Sequence, residues 1–167
     1  ADDTLIDIVE NYYFIQNGWW NDQNILVQKL DEDGNIAEGW SEDGLSICNE
    51  TGNQYNVKAR KTSQGLLIIW EDLRSGNDKD IYGQMIDDEG NILWEENGKA
   101  LIVAVNDQDS FDIITDENEF YICWESFETG IHSAVRLNKF DYTGNIIWEP
   151  NGILVSSNEC FDPKLAY

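Results

Sequence analysis

The sequence predicts an all-β chain built from repeated antiparallel units of four strands each. Three observations predict it. A D-x-x-G-N-I stretch occurs at residues 31–36 (DEDGNI), 87–92 (DDEGNI) and 141–146 (DYTGNI), placing Gly34, Gly90 and Gly144 at intervals of 56 and 54. Between these stretches lie short runs of β-branched and aromatic residues bounded by Gly, Asn, Asp and Ser, the pattern of strands joined by tight turns. No long stretch carries apolar residues at the helical period.

The repeat reaches beyond that one motif. Gly44, Gly98 and Gly152 each follow Asp or Asn and stand 54 apart. Trp94 and Trp148 are 54 apart, with Trp40 in the corresponding place after a two-residue insertion. Trp70 and Trp124, each followed by Glu, repeat the interval, as do Gln54 and Gln108, and Gln28, Gln84 and Asn138 share one repeat position.

In the middle unit the expected strands are, in order, 55–61 (YNVKARK), 66–72 (LLIIWED), 80–87 (DIYGQMID) and 99–105 (KALIVAV), with 91–94 (NILW) as a short extra piece. SQG, RSGND, DEG and ENG between them are turn chemistry, because Gly and Asn accept positive φ at low cost. Four antiparallel strands recurring at this period match a β-propeller blade. The expected blades are about 1–52, 53–106 and 107–161, with 162–167 as the first strand of a further blade. Residues 4–8 (TLIDI) already offer a first strand to the first unit. Propellers close with at least four blades, so three units predict part of a larger ring or one completed by partner chains. A blade needs a neighbour on each face, so Trp70, Trp124, Trp94 and Trp148 are expected to pack between sheets.

Composition narrows the partners. A chain of 167 residues with 41% hydrophobic and 12% aromatic residues is too apolar for a disordered acidic tail and long enough for a core. Ten basic residues against 33 acidic ones give a net charge of −23, which repels phosphate backbones and anionic membranes. Cations, neutral sugars and basic proteins remain. The charge also serves solubility and discourages edge-to-edge pairing of strands. No run reaches the apolar length of a membrane span. The chain begins at Ala1 without a charged and apolar leader, so any signal peptide is expected to be gone or not included. Cys48, Cys123 and Cys160 are odd in number and lack C-x-x-C spacing, which speaks against a zinc site. Buried free thiols are expected at Cys48 and Cys123, with one disulfide left open.

The middle unit, W-E-D-x-R-x-G-N-D-x-D-I-Y-x-Q-x-I-D-x-x-G-N-I-L-W-x-x-N-G, resembles the propeller-type repeat of large secreted or surface proteins of bacteria. Trp70, Asp72, Arg74, Gly76, Asp80, Ile81, Tyr82 and Gln84 carry the resemblance. The third unit keeps Trp124, Glu125 and the DYTGNIIWEPNG stretch but has Ser126 in the place of Asp72, and the first has Gln16 in the Trp position. The resemblance implies a propeller architecture and an extracellular or cell-surface setting, and it implies no particular chemistry. The Asp-box of sialidase-type propellers fails to match: the aromatic lies four residues after Gly90 and Gly144 instead of three, and Tyr142 holds the Asp position. The docking motif of quinoprotein propellers is similar to residues 143–148, with the aspartate displaced by one, and nothing else suggests a quinone site.

In a blade, the loop between second and third strands and the loop between blades open on one face. Here that face collects residues 17–23, 72–79 and 126–133, together with 49–54, 106–110 and 158–162. Trp19 and Trp20 depart from the repeat and stand among Asn and Asp. With Asp22 and Arg74 they are candidate ligand-binding residues, since exposed aromatics beside amides and carboxylates suit sugar stacking or a protein contact. The alternative is that they cover a sheet edge and pack under the loop. Asp72, Asn77, Asp78 and Asp80 could give hard oxygen ligands to Ca²⁺, without EF-hand spacing. The alternative is that Asp72 pairs with Arg74 while Asn77 and Asp78 make a turn. His132 is the single histidine, and no G-x-S-x-G nucleophile elbow accompanies it. Carboxylates are too abundant for a glycosidase pair to be singled out. The expected function is a non-catalytic extracellular binding or structural module presenting loops to a glycan or protein, with no cofactor beyond Ca²⁺ in those loops. Two alternatives stand beside it. One is a glycoside hydrolase- or lyase-like enzyme using loop carboxylates. The other is an assembly module, a homodimer or a fragment of a larger chain, that completes a ring.

Overall fold

Each D-x-x-G-N-I stretch closes on itself. The Oδ1 atoms of Asp31, Asp87 and Asp141 accept the N–H groups two and four residues on, at 2.8–3.1 Å. The glycines sit at φ +81°, +87° and +76°, where a side chain would be strained. The isoleucines then bridge back, as Leu30–Ile36, Ile86–Ile92 and Phe140–Ile146. Three copies of one motif therefore make three copies of one turn.

A computed structural model describes the main chain of residues 13–17, 24–128, 131–157 and 161–166, and the side chains from residue 24 onward except those of 128, 131 and 132. The strands are β1 (Tyr13–Asn17), β2 (Ile25–Lys29), β3 (Leu45–Cys48), β4 (Gln54–Thr62), β5 (Gly65–Asp72), β6 (Asp80–Ile86), β7 (Lys99–Ile102), β8 (Gln108–Thr115), β9 (Glu119–Glu128), β10 (Ile131–Asp141) and β11 (Ile153–Ser156). They form three sheets, β1–β3, β4–β7 and β8–β11, each in chain order and antiparallel throughout. No helix occurs among the described residues, and none of the sheets closes on itself. The chain is all-β.

The middle sheet is covered on both sides, which explains the unbroken apolar run of β5. Successive strand residues point to opposite faces. Leu66, Ile68 and Trp70 join Ile25, Val27, Ile47 and Cys48 of the first sheet. Leu67 and Ile69, with Ile81, Met85 and Leu101, meet Phe111, Ile113, Phe120, Ile122 and Phe140 of the third. Gly98 explains why a Trp and a Gly recur together. At φ +91° it lies over Trp70, and a Cβ there would stand 2.4 Å from the indole Cη2; Gly152 stands in the same relation to Trp124. The shared position of Gln28, Gln84 and Asn138 is also structural. Each side-chain amide donates to the carbonyl of Ser41, Glu95 or Glu149 at 2.7–2.8 Å, and each accepts the next residue's N–H.

Four expectations change. The 99–105 run stops as a strand at Ile102, and beyond it Val103 and Val105 are exposed before Asn106 turns to φ +66°. The 91–94 piece is reduced to the Ile92 bridge. Residues 161–166 form no strand, since Pro163 has no N–H to donate and Asp162 is held at φ +50°. They lie against the third sheet all the same: the Leu165 N–H donates to Asp112 Oδ2 at 3.0 Å and the Asp162 N–H to Glu125 Oε1. Residues 4–8, expected as a strand, are outside the described residues. Trp70, Trp124 and Trp94 pack into the core as expected, but Trp148 is 38% exposed, with the edge of Tyr121 and the Lys139 ammonium of its own sheet against its ring. No further sheet of the described chain lies over it.

Candidate functional site

The W-E-D-x-R run closes a buried network at the loop end of the middle sheet. Asp72 has no exposed surface. Its Oδ2 accepts the Trp70 Nε1–H at 2.7 Å and Arg74 Nη2 at 2.6 Å, and its Oδ1 accepts Arg74 Nε at 2.9 Å and the Arg74 main-chain N–H at 2.8 Å. A buried carboxylate demands such saturation. The guanidinium lies over the Tyr82 ring, 3.9 Å from its centroid, and passes a further hydrogen bond to the Asn97 carbonyl at 2.8 Å. Burial alone lowers the Arg74 pKa; Asp72 outweighs it and the net shift is upward. In the third unit Ser126 replaces the aspartate, and Trp124 donates instead to Gln108 Oε1 at 2.9 Å.

A second cluster spans the loops 72–79 and 106–110, which the sequence placed on one face. The Gln108 N–H donates to the Lys79 carbonyl at 2.7 Å, the Lys79 N–H to Asp107 Oδ1 at 2.8 Å, and the Asn106 N–H to Asp78 Oδ2 at 2.9 Å. Lys79 Nζ lies between Asp109, at 2.7 Å, and Glu71, at 3.3 Å. Burial pushes the Glu71 carboxyl up, while Asp109 is held down by Lys79 against the opposing effect of burial. Glu71 Oε1 also takes the Asn56 amide at 2.6 Å and the Ser110 N–H at 3.0 Å. Asp80 is buried and its pKa is pushed up to about 6, chiefly by desolvation, although the Ala104 N–H at 3.3 Å opposes the shift.

The residues considered for Ca²⁺ each take part in hydrogen bonds within the loop network. Asp72 is spent on Arg74 and Trp70, Asp78 on Asn106, and Asp80 on Ala104, while Asn77 is exposed and bonds to Ser75. Among the described residues no group of three or more His, Cys, Asp or Glu side chains is arranged to hold a metal. Of the ligand-binding candidates, Arg74 is half-buried and tied as described. Trp19, Trp20 and Asp22 lie outside the described residues, as does the His132 side chain.

An open groove of about 400 Å³ runs between the end of β3 and the 92–97 segment of the middle sheet, a volume in the range of small-ligand sites. Ile47, Ile92 and Trp94 give it apolar walls, and Asn49, Glu96 and Asn97 give it polar groups. Asn97 holds the walls together. It sits at φ +63°, a conformation Asn tolerates better than most residues. Its Oδ1 accepts the Asn49 N–H at 3.1 Å, its Nδ2 donates to Glu50 Oε1 at 3.3 Å, and its carbonyl takes Arg74. Trp94 is fixed by its own N–H to Gln84 Oε1, at 3.0 Å, and by Nε1–H to the Tyr142 carbonyl, at 3.0 Å. Sequence reasoning read Asn97 only as part of an E-N-G turn. The signal was present as the residue before a repeated glycine, but Asn49 lies 48 positions away and only sheet packing brings the two together.

No protein-family model matches the chain, and no curated protein sequence matches it.

Proposed function

We propose that the chain is a non-catalytic, propeller-type binding module of an extracellular bacterial protein, and that the groove beside Trp94 takes a neutral glycan. The observation that carries this reading is the composition of the groove: an indole and two isoleucines beside two amides and a carboxylate. Sugars offer apolar ring faces and a rim of hydroxyls, which such a surface meets by stacking and by hydrogen bonds in both directions. A net charge of −23 favours a neutral over an anionic ligand. Three sheets in chain order, joined by repeated contacts, support the propeller-type architecture, in which β4–β7 and β8–β11 are two blades.

The enzymatic reading draws on Asp80, whose raised pKa of about 6 would suit a general acid. Asp80 is buried, takes the Ala104 N–H, and lines no part of the groove, so binding is the better-supported role.

Electrophoresis through gels cast with neutral polysaccharides tests both readings at once. Retardation that Glu96→Ala and Asn49→Ala weaken supports the proposal. Release of reducing ends from the same polysaccharides sinks its non-catalytic part, and free migration through every gel sinks its glycan part.

A further inference from the structure

The two joints between sheets are built alike. In the first, the Trp40 indole lies over Gly90 of the middle sheet, with Cζ2 3.2 Å from where a Cβ would stand, and Lys29 Nζ donates to the Asp88 carbonyl at 2.8 Å. In the second, Trp94 lies over Gly144 of the third sheet, with Cζ2 3.3 Å from the corresponding point, and Lys99 Nζ donates to the Thr143 carbonyl at 2.9 Å. Each joint seats an indole on the bare glycine of the next D-x-x-G-N turn, an approach that a side chain there would obstruct.

The same series leaves one member over at each end. Trp148 follows Trp94 by 54 residues and is 38% exposed. Gly34 opens the glycine series, and no atom of the described residues stands within 4 Å of where its Cβ would be. In the same sheet, Val155 is 59% exposed, whereas Leu101, 54 residues earlier and packed with residues of the third sheet, is 4% exposed. Lys139 holds in the third sheet the repeat position that Lys29 holds in the first; it pairs with Glu119 of its own sheet and lies 6.0 Å from the centroid of the Trp148 ring. Residues 161–166 have already begun the next unit's register: Leu165 reaches Asp112 in the third sheet from the repeat position of Phe111, whose carbonyl takes Lys58 of the middle sheet.

We propose that the open face of the third sheet docks a second copy of this chain head to tail, Trp148 of one copy seating on the Gly34 turn of the next. The inference rests on the propeller-type reading. The contact is heterologous: it uses a different surface on each copy, and it closes a ring if the rotation between copies permits. Each copy carries −23, so association tightens as salt screens the repulsion.

Light scattering after size exclusion, from low salt to about 0.5 M, where the screening length falls to a few Å, tests it on the full chain. The wild type is expected to weigh two or more chains at the higher salt. Trp148→Arg and Gly34→Asn are each expected to run as folded monomers; Asn tolerates the left-handed conformation, and among the described residues none crowds Gly34. An equimolar mixture of the two variants retains one intact joint, and is expected to restore a two-chain species. A wild type that stays monomeric at every salt concentration overturns the proposal and points to a different sheet-bearing partner. An oligomer that neither variant weakens overturns it as well, and so does a mixture that stays monomeric. Near-ultraviolet circular dichroism checks that the variants fold. Monomeric chains that are still retarded in polysaccharide gels would sink the association alone and leave the binding reading standing.

Discussion

Arg74 grips both carboxylate oxygens of Asp72, with Nε 2.9 Å from Oδ1 and Nη2 2.6 Å from Oδ2, and the same guanidinium holds the Asn97 carbonyl at the groove. The Asp72–Arg74 pairing that the sequence offered as the alternative to ligand binding is therefore the one the structure holds. Removing one partner of a buried ion pair leaves the other charge without compensation. Asp72→Asn is expected to destabilise the chain by about 3 kcal/mol, read as a lowered urea midpoint. Arg74→Lys is expected to fail as a conservative replacement, because an ammonium lacks the two-pronged grip and the stacking on Tyr82.

Calcium gives a separate check on the same residues. With the Asp72 oxygens occupied and Asp78 and Asp80 engaged elsewhere, the melting temperature is expected to be equal in millimolar CaCl₂ and in EDTA. A ligand that binds the folded chain alone would raise it.

Two glycines of the same turn-forming type should differ sharply. Gly98→Ala drives a methyl into the Trp70 ring, 2.4 Å from Cη2, at φ +91°; Gly34→Ala meets the strain of φ +81° and, among the described residues, no atom within 4 Å. The expected cost is about 1 kcal/mol for Gly34→Ala, from the left-handed conformation, and about 1–3 kcal/mol more for Gly98→Ala, from overpacking. Calorimetric melts of the two variants against wild type decide it.

Asp80 should give stability a pH slope of known sign. Its folded pKa of about 6 lies above the ordinary 3.8, so the folded chain holds the proton more tightly. Below about pH 4 both states are protonated and burial costs nothing extra. As pH rises from about 4 to 6 the unfolded state ionises first and stability falls; above that the penalty is constant. Asp80→Asn is expected to match wild type near pH 4 and to exceed it by about 1–3 kcal/mol at pH 7, measured by urea denaturation at each pH.

The parts of the fold that were legible in the sequence are those made by near neighbours. Asp31, Asp87 and Asp141 cap turns within four residues of themselves, so the motif and its structure carry the same information. The packing of Trp70 and Trp124 was legible from their repetition at one interval. The groove was not, because Asn49 and Asn97 meet across two sheets. Nor could spacing show that Arg74 is committed: exposure belongs to the packed chain, and a W-E-D-x-R run reads the same whether its arginine faces solvent or a tyrosine ring.

The sequence by itself determined an all-β chain of recurring turns and strands, because positive-φ glycines, capping aspartates and period-two side chains act over a few residues. Only the tertiary structure decided which repeated residues are satisfied. Trp94 and Trp148 are the same residue in the same local motif, yet one is locked over Gly144 by a hydrogen bond to Tyr142 and the other stands open. The difference lies in the neighbouring sheet, since burial is a property of what packs against a side chain and not of the strand that carries it.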